Sequence, residues 1–204
     1  MAQVMVKKRK NTEFRKQQII EIAAKLIFKY GSEHLTVKKI ATEIGISEAA
    51  IYRHFKSKKS ILSFLLSYIE ETLVADVSRE RNNVEVVTLD AIERTLRRHI
   101  SAVGLRKGIS FQVIAETVSL GDKSLNRQAT KAIRHYIAVL RELLAEGVKT
   151  GTIREDIDID AAATLLFGMV ESLVNTWALS NCEFMLVDKY NSLWQICREA
   201  IVRR

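Results

Sequence analysis

Residues 35–59 read LTVKKIATEIGISEAAIYRHFKSKK, a stretch that predicts two short helices joined by a tight turn. Thr36 is a good N-cap, and apolar residues follow it at the i, i+3, i+4 and i+7 spacing of one helix face. Gly45 stands where that helix must end, because glycine adopts the left-handed conformation without strain. Ser47 can cap a second helix. The pattern is that of a helix-turn-helix, whose second helix lies in the major groove of DNA.

The second helix is predicted to bury Ile51 and Phe55, four residues apart, and to expose the side chains around them. Any antiparallel helix pair in an all-helical protein would also give a helix-glycine-helix pattern. Two features favour DNA binding over that alternative: the aromatic hydroxyl of Tyr52 beside His54, and the three lysines that follow within four residues.

The positive charge of the chain is concentrated on the segment that holds this element. Residues 1–60 contain 14 Lys and Arg against 5 Asp and Glu, a net charge of +9, whereas the remainder contains 18 against 19. A concentrated positive field attracts the phosphate backbone, and neutralised phosphates release their counterions. The charge distribution therefore favours double-stranded DNA as the partner. A membrane-surface helix would instead need its lysines on one face opposite a large apolar face.

The composition predicts an all-α protein. Its 204 residues include no proline and only 8 glycines, and proline breaks helix interiors. The apolar segments are interrupted by charges, and the N-terminus has no apolar run of a secretory signal, so we expect a cytoplasmic protein without a membrane partner. Cys182 and Cys197 lack a CxxC spacing, and we expect free thiols and no metal site.

The chain is predicted to divide into three segments. Residues 1–11 form a basic arm, which is either a disordered tail or an arm that orders against DNA. Residues 12–60 form a three-helix DNA-binding domain, whose first helix runs from about Thr12 to Tyr30. Residues 61–204 form a larger helical domain.

Helical periodicity continues through the larger domain, with a break at Asn82–Asn83. Its last two helices, at about 161–180 and 187–203, are apolar over more than one face, which indicates burial on both sides. A second copy of the chain would cover the face that the remaining residues cannot, so we expect a homodimer. The candidate interface residues are Leu166, Val170, Leu173, Val174, Tyr190, Leu193, Trp194, Cys197 and Ile201.

The helices from 84 to 179 also provide candidates for an apolar ligand site. The candidate lining residues are Phe111, Ile114, Phe167 and Trp177. A dry core uses the same residue types, and no convergent polar set is visible in the sequence. The sequence leaves two alternatives open here, a site for a small apolar effector and a dry core.

No motif indicates catalysis or a cofactor. The sequence has no GxGxxG, P-loop, HExxH, GxSxG or Cys/His pair. The acidic residues Glu155, Asp156, Asp158 and Asp160 lie in a connection, where they suit the positive N-terminus of the next helix better than a metal ion. We therefore expect a protein that is not an enzyme.

The N-terminal motifs resemble those of the TetR family of transcriptional regulators over about residues 15–66. The first helix is alanine-rich, although its Phe28 precedes Gly31 by one residue less than the commonest family spacing. The other motifs that carry the resemblance are Thr36-Val37, Ile40-Ala41, Gly45-Ile46-Ser47, Ile51-Tyr52-Arg53-His54-Phe55 and Ser57-Lys58.

The resemblance implies an N-terminal helix-turn-helix domain and a C-terminal ligand-binding and dimerisation domain. It implies a homodimeric repressor that reads a palindromic operator and leaves DNA when a small molecule binds. An alternative is a DNA-organising or adaptor protein that senses no ligand. The resemblance assigns phosphate contacts to Thr36, Ser47, Tyr52, His54 and Lys58, and base edges to Glu48, Ala49 and Arg53.

Ala50 departs from the family pattern, because many members have threonine at this position. One backbone contact is therefore expected to be missing, and Ala50 meets either a thymine methyl group or nothing. Arginine bonds guanine in bidentate fashion, so Arg53 is the main candidate for a base contact.

Overall fold

The structure is a computed structural model that describes the backbone of residues 2–81 and 86–202 and the side chains of residues 12–78 and 86–202. Its described part is helical apart from turns and one isolated bridge between Ile153 and Val202, so the predicted all-α fold is confirmed. The helices are α1 (Ala2–Tyr30), α2 (Val37–Ile44), α3 (Glu48–Tyr52), α4 (Lys58–Arg81), α5 (Leu89–Leu105), α6 (Ile109–Ser119), α7 (Lys123–Lys149), α8 (Ile159–Leu179) and α9 (Leu186–Ile201).

The predicted helix-turn-helix forms with the expected caps. The Thr36 hydroxyl accepts a hydrogen bond from the Lys39 N–H at 3.1 Å, and the Ser47 hydroxyl accepts one from the Ala50 N–H at 3.2 Å. Gly45 has φ +76° and follows the end of α2. The N–H of the next residue, Ile46, donates to the Ala41 carbonyl at 3.0 Å, which completes a Schellman motif.

The first helix is longer than predicted. α1 begins at Ala2 rather than near Thr12, because residues 2–11 contain no glycine or proline and are rich in lysine and arginine, which are good helix formers. The side chains of the proposed arm, residues 1–11, lie outside the described residues, as does the predicted break at Asn82–Asn83. Contact between the arm and DNA stays a prediction.

The chain packs as two compact units. Unit 1 comprises Met1–Tyr68 and Gln112–Ala129, and unit 2 comprises Ile69–Phe111 and Thr130–Arg204. Unit 1 is therefore larger than the predicted domain of residues 12–60. It contains parts of α4, α6 and α7 as well as the first three helices.

Hydrogen bonds explain why segment 112–129 belongs to unit 1. The Ser32 N–H donates to Glu116 Oε2 at 3.0 Å, and the Ser32 hydroxyl donates to the Glu116 carbonyl at 3.1 Å. Gln128 Nε2 donates to the Ser63 carbonyl at 2.7 Å and to Ser67 Oγ at 2.8 Å, while its Oε1 accepts from Ser63 Oγ at 2.9 Å. The start of α7 is thereby held against α4.

In unit 2, α9 packs against α5 and α8. The Tyr190 hydroxyl donates to the Glu93 carbonyl of α5 at 3.5 Å, and Cys197 Sγ lies 3.5 Å from Met169 Sδ of α8. All the proposed dimer-interface side chains except Leu193, which is half-buried, are buried inside one chain. These eight side chains have little surface left for a second copy in the single chain, and the dimer interface stays a prediction. The buried eight are Leu166, Val170, Leu173, Val174, Tyr190, Trp194, Cys197 and Ile201.

Other expectations for the C-terminal part are met. Asp158 Oδ1 accepts a hydrogen bond from the Ala161 N–H at 2.9 Å, so this acidic residue caps α8 as predicted. Both cysteines are free thiols, with Cys182 exposed and Cys197 buried. One finding differs from the expectation that charges interrupt the apolar segments: among the described residues, α8 is long and apolar enough to cross a membrane by length and composition. Core helices of soluble proteins pass the same test.

We predict that Gly45→Ala lowers the free energy of unfolding by about 1–2 kcal/mol, because an L side chain is strained in the left-handed region. A Cβ at Gly45 meets no heavy atom within 4 Å, so the cost is conformational and not steric. Urea denaturation followed by circular dichroism measures the change. Gly45→Asn is the control and should cost less, since asparagine tolerates this conformation. Equal stability of Gly45→Ala and the parent protein would contradict the prediction.

Candidate nucleic-acid interface

Two buried anchors, Ile51 in α3 and Phe55 just after its end, determine which side chains around them are exposed. Ile51 is fully buried and Phe55 is 5% exposed, as the sequence predicts. The Phe55 ring packs edge-on against Phe64 of α4, with ring centroids 5.5 Å apart. Exposed around these anchors are Glu48, Ala49, Tyr52 and Arg53, with Ala50 half-buried. The exposed set contains every residue that was proposed to reach base edges.

The two N-cap hydroxyls are exposed at the starts of α2 and α3. Each uses its oxygen as an acceptor for a backbone N–H of its own helix, as described above. A hydroxyl also carries one O–H donor, so Thr36 and Ser47 can cap their helices and donate to a phosphate oxygen at the same time.

His54 is half-buried beside a group of positive charges. Burial lowers its pKa, and the charges of Arg15, Lys16 and Arg53 lower the pKa further. Its Nδ1 has no hydrogen-bond partner within the part of the chain that the structure describes. The ring is therefore neutral at pH 7, and any phosphate contact by His54 is a neutral hydrogen bond rather than an ion pair.

Lys58 has an internal partner that the sequence did not reveal. Its Nζ donates to the Ser32 carbonyl at 2.7 Å, and burial lowers the pKa of the ammonium group. An ammonium group has three donors, so two remain for a phosphate. The lysine thus connects the start of α4 to the loop that follows α1.

Unit 1 contains further basic residues near the helix-turn-helix. The Nζ atoms of Lys29 and Lys39 lie 4.9 and 5.6 Å from the centroid of the Tyr30 ring, which is a cation–π arrangement. Sequence reasoning did not single out Lys39, Arg15 or Lys16 as site residues. The position of Lys39 in the sequence was the available signal, because it lies in the first turn of α2, the turn that Thr36 caps.

The four proposed ligand-lining residues do not form one group. In unit 2, the rings of Phe111 and Phe167 both contact the Tyr136 ring, with centroid distances of 6.5 and 5.9 Å. Trp177 is buried in the same unit and donates from Nε1 to the Phe184 carbonyl at 2.9 Å. Ile114 belongs to unit 1.

Unit 2 also contains a polar cluster that the sequence did not reveal. Asp76 forms an ion pair with Arg106, and its Oδ2 lies 3.6 Å from Nδ1 of the buried His99. The His99 ring is adjacent to that of Tyr136, at a centroid distance of 5.3 Å. These residues come from α4, α5, the turn after α5, and α7, so no local spacing could have indicated their convergence.

Comparisons with known proteins agree with the architecture. Residues 19–63 match the family described as bacterial regulatory proteins, tetR family, and residues 66–200 match the C-terminal region of YsiA-like proteins. A fatty acid metabolism regulator protein of Bacillus subtilis is 24% identical over 181 residues, which cover 88% of this chain and 91% of that protein. The nucleoid occlusion factor SlmA of Photobacterium profundum is 24% identical over 183 residues, covering 89% and 93%.

A solved structure shows the same fold. The transcriptional regulator FadR of Bacillus subtilis, crystallised in complex with stearoyl-CoA, has a TM-score of 0.74 and 24% sequence identity. The match covers 89% of this chain and 96% of that one. Because the two family matches together span most of the chain, the chain belongs to the tetR family of bacterial regulatory proteins and is a DNA-binding transcriptional regulator, not an enzyme.

Proposed function

We propose that the chain acts in the cytoplasm as a homodimeric repressor that binds a palindromic operator and leaves it when a small apolar effector binds. The observation that carries the proposal is the exposed face of α3, which lies in the segment that holds the positive excess of the chain. Phosphate contacts from both N-caps would position α3, and its exposed side chains would read the bases.

On the exposed face of α3, the residues have separate roles. Arg53 donates to a guanine in bidentate fashion, and Glu48 accepts from a cytosine N4. Tyr52, whose side chain is 51% exposed, joins Thr36, Ser47, His54 and Lys58 in contacting phosphates. Ala49 faces a base edge but has no polar side-chain group to offer it.

The homodimer would form through the exposed apolar face of α8 and α9. Leu165 of α8 is 58% exposed and Ile196 of α9 is 68% exposed. Small residues, Ala161 and Ser172, are exposed on the same side of α8, at i−4 and i+7 from Leu165. Small side chains let two helices approach closely, and two-fold pairing would present two copies of α3 to a palindrome.

Two observations support an apolar effector: the ligands named for similar proteins and the aromatic rings of unit 2. One relative is a fatty acid metabolism regulator, and the solved FadR structure holds stearoyl-CoA. Phe111 and Phe167 around Tyr136 supply aromatic surface of the kind that lines ligand sites. We therefore place an effector with an apolar chain in unit 2.

The second candidate function is DNA organisation without a ligand, which the similarity to SlmA supports. Mapping of binding sites across a genome separates the two. One or two operators beside the gene's own promoter support a regulator, whereas hundreds of dispersed sites support an organising role.

We predict that Arg53→Ala relaxes sequence preference at one base pair in each half-site by roughly 1–3 kcal/mol, because a bidentate contact is lost. Titrations of single-base operator variants at fixed salt measure this preference. Lys56→Ala is the matched control, because Lys56 is also exposed, carries the same positive charge and lies close to Arg53 in the chain. It should weaken binding to all sequences equally and reduce the salt slope by about 1. A uniform loss of affinity in Arg53→Ala would refute the base contact.

We predict that Ile196→Glu converts the dimer to monomers and weakens operator binding, because a carboxylate would be buried unpaired at the interface. Sedimentation velocity measures the oligomeric state. The Ile196 side chain is exposed in the single chain, so the substitution leaves the core intact. Val86→Glu, at another exposed apolar residue of unit 2, is the control and should remain dimeric. A dimeric Ile196→Glu protein would place the interface elsewhere.

We predict that an effector with a long apolar chain releases the protein from operator DNA. Addition of saturated acyl-CoA thioesters of increasing length to the protein–DNA complex, followed by fluorescence anisotropy, measures release. Free coenzyme A is the control. Retention of DNA at every chain length would count against an acyl effector.

A further inference from the structure

Unit 2 contains two polar side chains inside an aromatic environment. His99 of α5 and Tyr136 of α7 are each 1% exposed. Their ring centroids lie 5.3 Å apart, and the rings of Phe111 and Phe167 pack edge-on against Tyr136. The Tyr136 ring is therefore in contact with two apolar rings and one imidazole.

Within the described residues, neither the Tyr136 hydroxyl nor Nε2 of His99 has a hydrogen-bond partner. Buried polar groups in folded proteins are almost always paired, because an unpaired group loses its hydration without compensation. Tyr190 shows the usual arrangement in the same unit: it is equally buried, but its hydroxyl donates to the Glu93 carbonyl. Other buried polar atoms of unit 2, such as Trp194 Nε1, are also unpaired, but at His99 and Tyr136 two unpaired rings lie side by side. Two adjacent unpaired groups call for a ligand.

The charge around the pair is balanced. Burial opposes ionisation of Asp76, but the nearby His99 ring and the hydrogen bond and charge of Arg106 outweigh it and lower the pKa of the carboxyl group. Burial lowers the pKa of His99, so the imidazole is neutral. Arg106 would repel a cation and Asp76 would repel an anion. The cluster therefore suits an uncharged ligand group.

The neighbouring groups determine which atoms of His99 and Tyr136 carry a proton. Nδ1 of His99 faces the Asp76 carboxylate at 3.6 Å, so the proton of the neutral ring resides on Nδ1. Nε2 is then a hydrogen-bond acceptor. Burial raises the pKa of the Tyr136 hydroxyl, which stays protonated and can donate. The pair offers one acceptor and one donor.

We propose that His99 and Tyr136 form a polar anchor that binds an alcohol hydroxyl group on an otherwise apolar effector. The hydroxyl donates its proton to Nε2 of His99 and accepts the proton of Tyr136, while Phe111 and Phe167 contact the adjoining hydrocarbon. Asp76 and Arg106 are positioning residues, since they hold the His99 tautomer and do not touch the ligand. The proposal rests on the proposed function in that it names the chemical class of the effector.

The test compares 1-alkanols of six to twelve carbons with their methyl ethers by isothermal titration of the full chain without DNA. The ether keeps the chain and the oxygen acceptor but cannot donate to His99. We expect the alkanols to bind about tenfold more tightly than the ethers, the loss expected for one hydrogen bond in a buried site. Equal affinity, or no alkanol binding up to the solubility limit, would overturn the anchor.

Matched tyrosine variants test the anchor independently. Tyr136→Phe keeps the ring and removes an unpaired hydroxyl, so it should weaken alkanol binding about tenfold. It should leave the melting temperature of the ligand-free protein unchanged or raised. Tyr190→Phe, the control, removes a paired hydroxyl, so it should lower the melting temperature and leave alkanol affinity unchanged. A lower melting temperature in Tyr136→Phe than in Tyr190→Phe would overturn the proposal.

These outcomes are separate from those of the proposed function. Operator binding by the ligand-free protein does not involve Tyr136, so its loss in the parent protein would count against the repressor alone. Release of DNA by acyl thioesters that lack a hydroxyl, with equal affinity for alkanols and ethers, would keep an apolar effector and overturn the anchor.

Discussion

The side-chain amide of Gln128 is the contact on which the division of this molecule depends. It donates to Ser63 and Ser67 and accepts from Ser63, which holds the start of α7 against α4. Together with the Ser32–Glu116 pair, it makes segment 112–129 part of the unit that carries the helix-turn-helix. The boundary between the units consequently falls inside α4, α6 and α7, and each of these helices contributes residues to both.

The parts of the fold that were predictable from the sequence are those set by short-range chemistry. The caps at Thr36 and Ser47 and the turn at Gly45 depend on residues within five positions, and each formed as expected. Asp158 caps α8 for the same reason. The burial of Ile51 was also predictable, because an amphipathic helix shows its inner face in its own periodicity. The site is predictable from the sequence where it consists of two short helices, each with its own N-cap.

The parts that the sequence did not reveal depend on which helices meet. Tyr190 and Trp194 were assigned to a second chain because apolar periodicity shows that a face is buried and not what buries it. In the structure α5 covers that face, and the exposed residues are others, such as Leu165 and Ile196. Lys58 likewise has a partner, Ser32, that lies 26 residues away. The anchor of His99 and Tyr136 joins α5 and α7 and leaves no trace in the local pattern.

The placement of the two tryptophans gives the molecule an optical asymmetry. Trp177 and Trp194 are the only tryptophans of the chain, and both are buried in unit 2. Trp194 is stacked on Tyr190 at a centroid distance of 6.3 Å. Indole emission therefore reports on unit 2 alone, while the unit that carries α3 is silent under selective excitation. Events at the DNA-binding unit become visible in this signal only when they alter the packing of the other.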